Sequence, residues 1–126
     1  TILNQAEVAL DQGKVAQAAA LYAQGLGLLA RGHTLIGVAE GVEGLARVAA
    51  ARGEPERVAR LAGMAAAVRA ALGAPLRAPA REEHEGRIAE ARARLGEARF
   101  AAAWAAGQVL SLEQVLAEVD APAESG

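Results

Sequence analysis

Asp11-Gln12-Gly13-Lys14 and Ala51-Arg52-Gly53-Glu54 decide the fold of this chain. Each stretch separates two amphipathic runs, and the two glycines lie 40 positions apart. A polar-glycine break between helical runs, repeated at that interval with no strand signal between, marks stacked helix pairs. Arrays of this kind usually bind other molecules instead of transforming them.

The apolar spacing on either side of the breaks predicts the elements. A first helix runs from Ile2 to Gln12, where Gly13 supplies a left-handed cap. A second runs from Val15 to Ala30, with Val15, Ala18, Ala19, Tyr22, Leu26 and Leu29 on one face. Arg31-Gly32-His33 breaks it. A third spans Thr34 to Ala51, with a stripe of Leu35, Val38, Ala39, Val42, Leu45, Ala46 and Ala49. Gly37, Gly41 and Gly44 lie inside this helix, each at a cost of roughly 1 kcal/mol relative to alanine. Their spacing is expected to admit a neighbouring helix at close range. Gly53-Glu54-Pro55 stops the third helix and starts a fourth, because proline suits a first helical turn. Val58, Leu61, Ala65, Val68 and Leu72 form its expected seam.

Gly73-Ala74-Pro75 through Pro79 reads as an ordered loop. A fifth helix then opens at Arg81-Glu82-Glu83-His84-Glu85, with its acids at the positive end of the helix dipole and Arg92 and Arg94 near the other end. His84, Ile88, Ala91 and Leu95 share a face, and Gly96 ends the helix. A sixth runs from Glu97 to Ala106 with Phe100 and Trp104 on one side, and Gly107 ends it. Ser111-Leu112-Glu113-Gln114 is a capping-box pattern that opens a short last helix to Val119. Residues 121–126 read as a disordered tail. The expectation is one helical domain over residues 1–120, cut from a larger protein, since the chain starts mid-pattern without a methionine.

Composition narrows the class further. Hydrophobic residues make up 53% of the 126 residues but aromatics only 2%, and alanine dominates the apolar content. Alanine favours helix yet buries little area, so the core depends on close helix approach and a few anchors: Tyr22, Met64, Phe100 and Trp104. A net charge of −2 gives no field for nucleic acid or an anionic membrane. The absence of cysteine excludes disulfides and thiolate chemistry and fits a reducing, cytoplasmic location. No run reaches the roughly 20 apolar residues that span a bilayer, and no signal peptide is visible.

No set of residues reads as a catalytic centre. The two histidines, His33 and His84, lack metal-site spacing and read as solvated surface groups. Ser111 fits a helix cap better than a nucleophile. Gly25-Leu26-Gly27 follows a helical pattern and is not followed by a lysine, so it does not read as a phosphate loop. Glu82, Glu83 and Glu85 serve the helix dipole and are expected to pair with Arg87 or other nearby arginines. Phe100 and Trp104 are expected to anchor the C-terminal core. No catalytic residue, metal ligand or cofactor is expected.

The first part of the chain resembles a tetratricopeptide array. Gln12-Gly13 and Arg52-Gly53 match the inter-helix turn, and Ala18 and Tyr22, then Val58 and Ala62, fall where the second helix of each repeat carries its packing pair. The interval of 40 exceeds the roughly 34 of the standard repeat. From Glu40 onward, Gly44-Leu45-Ala46-Arg47-Val48-Ala49, Arg60-Leu61-Ala62-Gly63, Val68-Arg69-Ala70-Ala71-Leu72-Gly73-Ala74-Pro75, Arg94-Leu95-Gly96-Glu97, Phe100, Ala103-Trp104-Ala105-Ala106-Gly107 and Leu110-Ser111-Leu112-Glu113 are similar to the C-terminal helical arm of large bacterial ATPase-type transcriptional regulators. The similarity covers about the last two thirds of the chain. It implies an all-α, tetratricopeptide-like right-handed superhelix of antiparallel helix pairs, with about seven helices. The ATPase and DNA-binding residues of such regulators lie outside the arm, so none is assigned here.

The leading expectation is a non-catalytic scaffold that binds a protein or another domain of its parent chain. Its candidate face, on the first helix of each pair, is Leu3, Glu7 and Leu10 with Glu40, Glu43 and Arg47. Two alternatives are a module that senses a small effector between its helices and one that self-associates through alanine-rich faces as a homo-oligomer. Neither direct nucleic-acid contact nor membrane association is expected.

Overall fold

A computed structural model describes residues 2–32, 35–111, 113–115 and 117. The six helices are α1 (Ile2–Asp11), α2 (Val15–Gly32), α3 (Leu35–Ala51), α4 (Pro55–Leu72), α5 (Ala80–Leu95) and α6 (Glu97–Gln108). Residues 113–115 and 117 are helical as well, and no strand occurs among the described residues. No helix among them is long and apolar enough to cross a membrane.

The two glycine breaks are the same device twice. Gly13 N–H donates to Leu10 O at 3.0 Å and Lys14 N–H to Ala9 O at 2.8 Å. Gly53 N–H donates to Ala50 O at 3.1 Å and Glu54 N–H to Ala49 O at 3.0 Å. Both glycines hold positive φ, +80° and +71°. These paired bonds satisfy the last carbonyls of α1 and α3 and turn the chain back on itself. Gly73 closes α4 the same way, with bonds to Ala70 O and Arg69 O.

The helices pack in sequence, α1 on α2, α2 on α3, α3 on α4 and α4 on α5, but α6 lies chiefly against α4. Helix α3 is central: ten of its 17 residues are buried. Gly41 and Gly44 leave room for a neighbouring helix, as expected, but side chains and not backbone take it. A Cβ on Gly41 would lie 2.7 Å from Leu26 Cδ2, and one on Gly44 would overlap the Tyr22 ring. Large side chains of α2 therefore seat directly on the α3 backbone. One cluster of buried residues, from Ala6 through Tyr22, Val42, Leu61 and Met64 to Val115, unites α1 to α5 with the chain beyond α6. Ala59, Leu95, Phe100 and Ala103 form a second, with Ile88 and Trp104 against it. The Phe100 and Trp104 rings stand 5.8 Å apart between centroids, and the Arg92 guanidinium lies 4.5 Å from the Phe100 centroid. The aromatic pair thus anchors the C-terminal core.

Several expected boundaries and seam positions differ. Helix α2 continues through Arg31 to Gly32 instead of ending at Ala30. Helix α6 runs on to Gln108, with Gly107 buried inside it. Gly107 is not a stop: a Cβ there would overlap Arg60 O of α4, and one on Gly63 would overlap Trp104 O of α6. These two glycines let α4 and α6 cross backbone to backbone. Leu35 and Leu72, expected in buried seams, are 53% and 39% exposed, at the first position of α3 and the last of α4. The capping box is formed, with Ser111 N–H donating to Gln114 Oε1 at 2.8 Å and Gln114 N–H to Ser111 Oγ at 3.1 Å. His33, Thr34, the rest of the expected last helix and the tail lie outside the described residues.

Candidate functional site

A cleft of about 590 Å³ opens along α1, α3 and α5, with Tyr22, Gly25 and Leu28 of α2 and Arg69 of α4 also contributing. The three lining helices run in one direction. At the start of α1, Leu3 packs over Gly25, so that a Cβ there would meet Leu3 Cδ2 at 3.0 Å. At its end, Asp11 accepts from Arg47 at 3.0 Å near the end of α3. Along α5, His84 feels the charge of Glu43, and one turn later Arg87 feels that of Arg47. The pattern follows from the hairpins: each break reverses the chain, so alternate helices return parallel.

Of the positions singled out from the sequence, Leu3, Glu7, Glu40, Glu43 and Arg47 all line this cleft. Leu10 packs against the core instead. Glu43 is not a free carboxylate. It accepts from Arg69 Nε at 2.5 Å and Arg69 Nη2 at 2.9 Å, with the two side chains 13% and 12% exposed. Arg69 also donates to Ala74 O at 2.9 Å, which ties the α4–α5 loop to the clasp. The hydrogen bonds it donates to Glu43 hold the Arg69 guanidinium above its ordinary pKa. Glu7 and Glu40 stand exposed at the rim.

Sequence reasoning missed the polar floor. His84, read as solvated, is only 9% exposed. The same reading had placed it with Ile88, Ala91 and Leu95, and that face is the one turned inward: Ala91 and Leu95 are buried with it. The helical period was the better guide, and the acidic neighbours Glu82, Glu83 and Glu85 masked it. Arg87, three residues on, shares the face by the same spacing. The expected pairing of Arg87 with those glutamates does not form; Arg87 makes no ion pair among the described residues.

His84 Nδ1 and Arg87 Nε are sealed from solvent without a hydrogen-bond partner, and Tyr22 Oη, equally sealed, lies beside the Arg47 guanidinium. Such atoms cost about 1–3 kcal/mol each if nothing else meets them. Burial drives the tyrosine pKa up and the histidine pKa below 6.5, so both are neutral near pH 7. Burial, then the charge of Arg47, lowers the pKa of Arg87. The opposite end of the cleft is apolar, with Ile2, Leu3, Leu28 and Ile36. Leu28 and Ile36 are 47% and 40% exposed. From Ile36 to Arg47 the cleft follows α3 for roughly 16 Å. The site can hold an elongated ligand that is apolar at one end and rich in acceptor oxygens at the other. Among the described residues no cluster of metal-ligating side chains occurs.

Protein-family models, curated proteins and solved structures give no match to this chain. Its class is that of an all-helical protein with an open interhelical cleft.

Proposed function

We propose that this chain is a non-catalytic interaction arm. Its hairpins stack as a tetratricopeptide-like right-handed superhelix, and the cleft along α1, α3 and α5 receives a segment of a partner protein or of another domain of the same parent chain. This is the role expected of the regulatory arm in the bacterial transcriptional regulators that the sequence resembles. The observation that carries the reading is the convergence of Leu3, Glu7, Glu40, Glu43 and Arg47, from two different hairpins, on one cleft. Leu28 and Ile36 offer apolar area, while Glu7 and Glu40 on the rim select a partner by charge.

The experiment is a random-peptide display selection on the wild-type protein, followed by titration of the enriched peptides on a Glu7→Lys, Glu40→Lys double variant. Peptides carrying basic residues should emerge and should lose at least tenfold in affinity on the double variant. Equal binding to both proteins removes the cleft from the account.

A second reading, a module that senses a small effector, is favoured by one observation: the unmet polar atoms of His84 and Arg87, two residues that line the cleft. A saturable rise in melting temperature within a metabolite library supports it, because a ligand that binds only the folded state stabilises that state. A flat response across the library counts against it.

A further inference from the structure

The floor of the cleft carries more hydrogen-bonding capacity than the protein uses. His84 and Arg87, both of which line it, each carry a sealed nitrogen without a partner, Nδ1 and Nε, and Tyr22 Oη beside them has only Arg47 near it. The unmet charge beside them is positive. Arg47 and Arg87 both line the cleft. Asp11 engages Arg47 through one contact at 3.0 Å and is itself 68% exposed, and Arg87 has no counter-ion among the described residues. The carboxylates nearby do not fill this role. Glu43 is held by Arg69, and Glu7, Glu40 and Glu83 stand exposed without an ion pair to Arg87.

A guanidinium presents parallel N–H donors that match a carboxylate. Tyr22 adds an O–H, and a neutral His84 ring adds either a donor or an acceptor at Nδ1 according to its tautomer. At the other end of this cleft, roughly 16 Å long, the walls are aliphatic, with Ile2, Leu3, Leu28 and Ile36, and a volume of about 590 Å³ lies within the range of small-molecule sites. The geometry points to a free aliphatic carboxylic acid as the ligand of this cleft, its carboxylate between Arg47 and Arg87 and its hydrocarbon body along Leu3, Leu28 and Ile36. The inference rests on the reading of the cleft as a binding surface. It differs in naming a small acid as the occupant.

The test is calorimetric titration of the whole chain with sodium octanoate below its micelle-forming concentration. 1-Octanol serves as a probe with the same body and no charge, and a leucine-terminated tripeptide as a probe whose carboxylate belongs to a polypeptide. Octanoate should bind wild type saturably at one per chain, and octanol should fail to saturate. Arg87→Gln should weaken octanoate at least tenfold, whereas Arg99→Gln, on exposed α6 surface, should leave it unchanged. Four results overturn the proposal: no saturable octanoate binding, octanol binding as tightly as octanoate, full affinity in a folded Arg87→Gln protein, or binding of the tripeptide alone. The octanoate-against-octanol comparison needs no variant and stands even if Arg87→Gln folds poorly. Titration of display-selected peptides alongside separates the two readings. If they bind and octanoate does not, only the small-acid assignment falls.

Discussion

Replacing Gly107 by alanine should lower the stability of this protein, although the same change in an open helix would raise it. In an unobstructed helix interior the substitution gains roughly 1 kcal/mol of propensity. At Gly107 the new methyl overlaps Arg60 O and would lie 2.7 Å from Arg60 C and 3.0 Å from Arg60 Cα, all backbone of α4. Carbon atoms in contact prefer about 3.5–4.0 Å, so α4 and α6 must part by roughly 1 Å. No rotamer change relieves a clash between two helix backbones. Overfilling a packed interior costs about 1–3 kcal/mol, and rigidity on both sides places this site near the top of that range. Against the propensity gain, the net loss is about 2 kcal/mol, or about 8 °C in melting temperature for a chain of this size. Gly86→Ala is the matched control. It lies in exposed α5 with nothing within 4 Å of the added Cβ, and it should stabilise by about 0.4–1 kcal/mol. Circular-dichroism melts of the two variants should therefore move in opposite directions from wild type. A Gly107→Ala protein that melts at or above wild type would refute the backbone crossing of α4 and α6.

Three further outcomes follow from the cleft and its surroundings. Glu43→Ala leaves the largely buried Arg69 guanidinium without its carboxylate and should cost about 2 kcal/mol, below the full penalty for a deeply buried pair; a urea midpoint equal to wild type would contradict the clasp. Burial keeps the His84 pKa below 6.5, so the unfolded chain takes up a proton that the folded chain resists as pH falls. The stability contribution of His84 is thus whole above about pH 6.5 and is lost below it. His84→Leu should flatten the decline between pH 7 and pH 5, and an unaltered slope would place the ring in solvent. Ser111→Ala removes the hydroxyl that accepts from Gln114 N–H and should cost about 1 kcal/mol, read as faster amide exchange at residues 113–115; unchanged exchange would mean the cap carries no stability.

The breaks at Gly13 and Gly53 were legible in the sequence because a left-handed cap demands a residue type that local pattern exposes. The α2–α3 seam was partly legible: the helical period put Tyr22 and Leu26 on one face of α2 and the α3 glycines signalled a close neighbour, but not that these two side chains would fill the space. The α4–α6 crossing was not. Gly63 and Gly107 are far apart in the chain, and a glycine near a helix end carries the signature of a stop whether or not a neighbouring backbone fills its empty side. The cleft was half visible. Its rim could be chosen from the first helix of each hairpin, but its floor combines Tyr22, His84 and Arg87 from two helices whose pairing depends on how α5 docks. Around His84 the charge of the adjacent residues argued for solvent while the period of the helix argued for burial, and packing followed the period.

The account stands on α1, α2 and α3 meeting in one register, with the α2 side chains resting on the α3 backbone and the cleft left between alternate helices. Nuclear Overhauser contacts in isotope-labelled protein read that register directly. Cross-peaks are predicted from the Tyr22 ring to the Gly44 α protons and from the Leu26 methyls to the Gly41 α protons. A well-resolved spectrum lacking both, or one joining the Tyr22 ring to a different turn of α3, would contradict the fold and the cleft together.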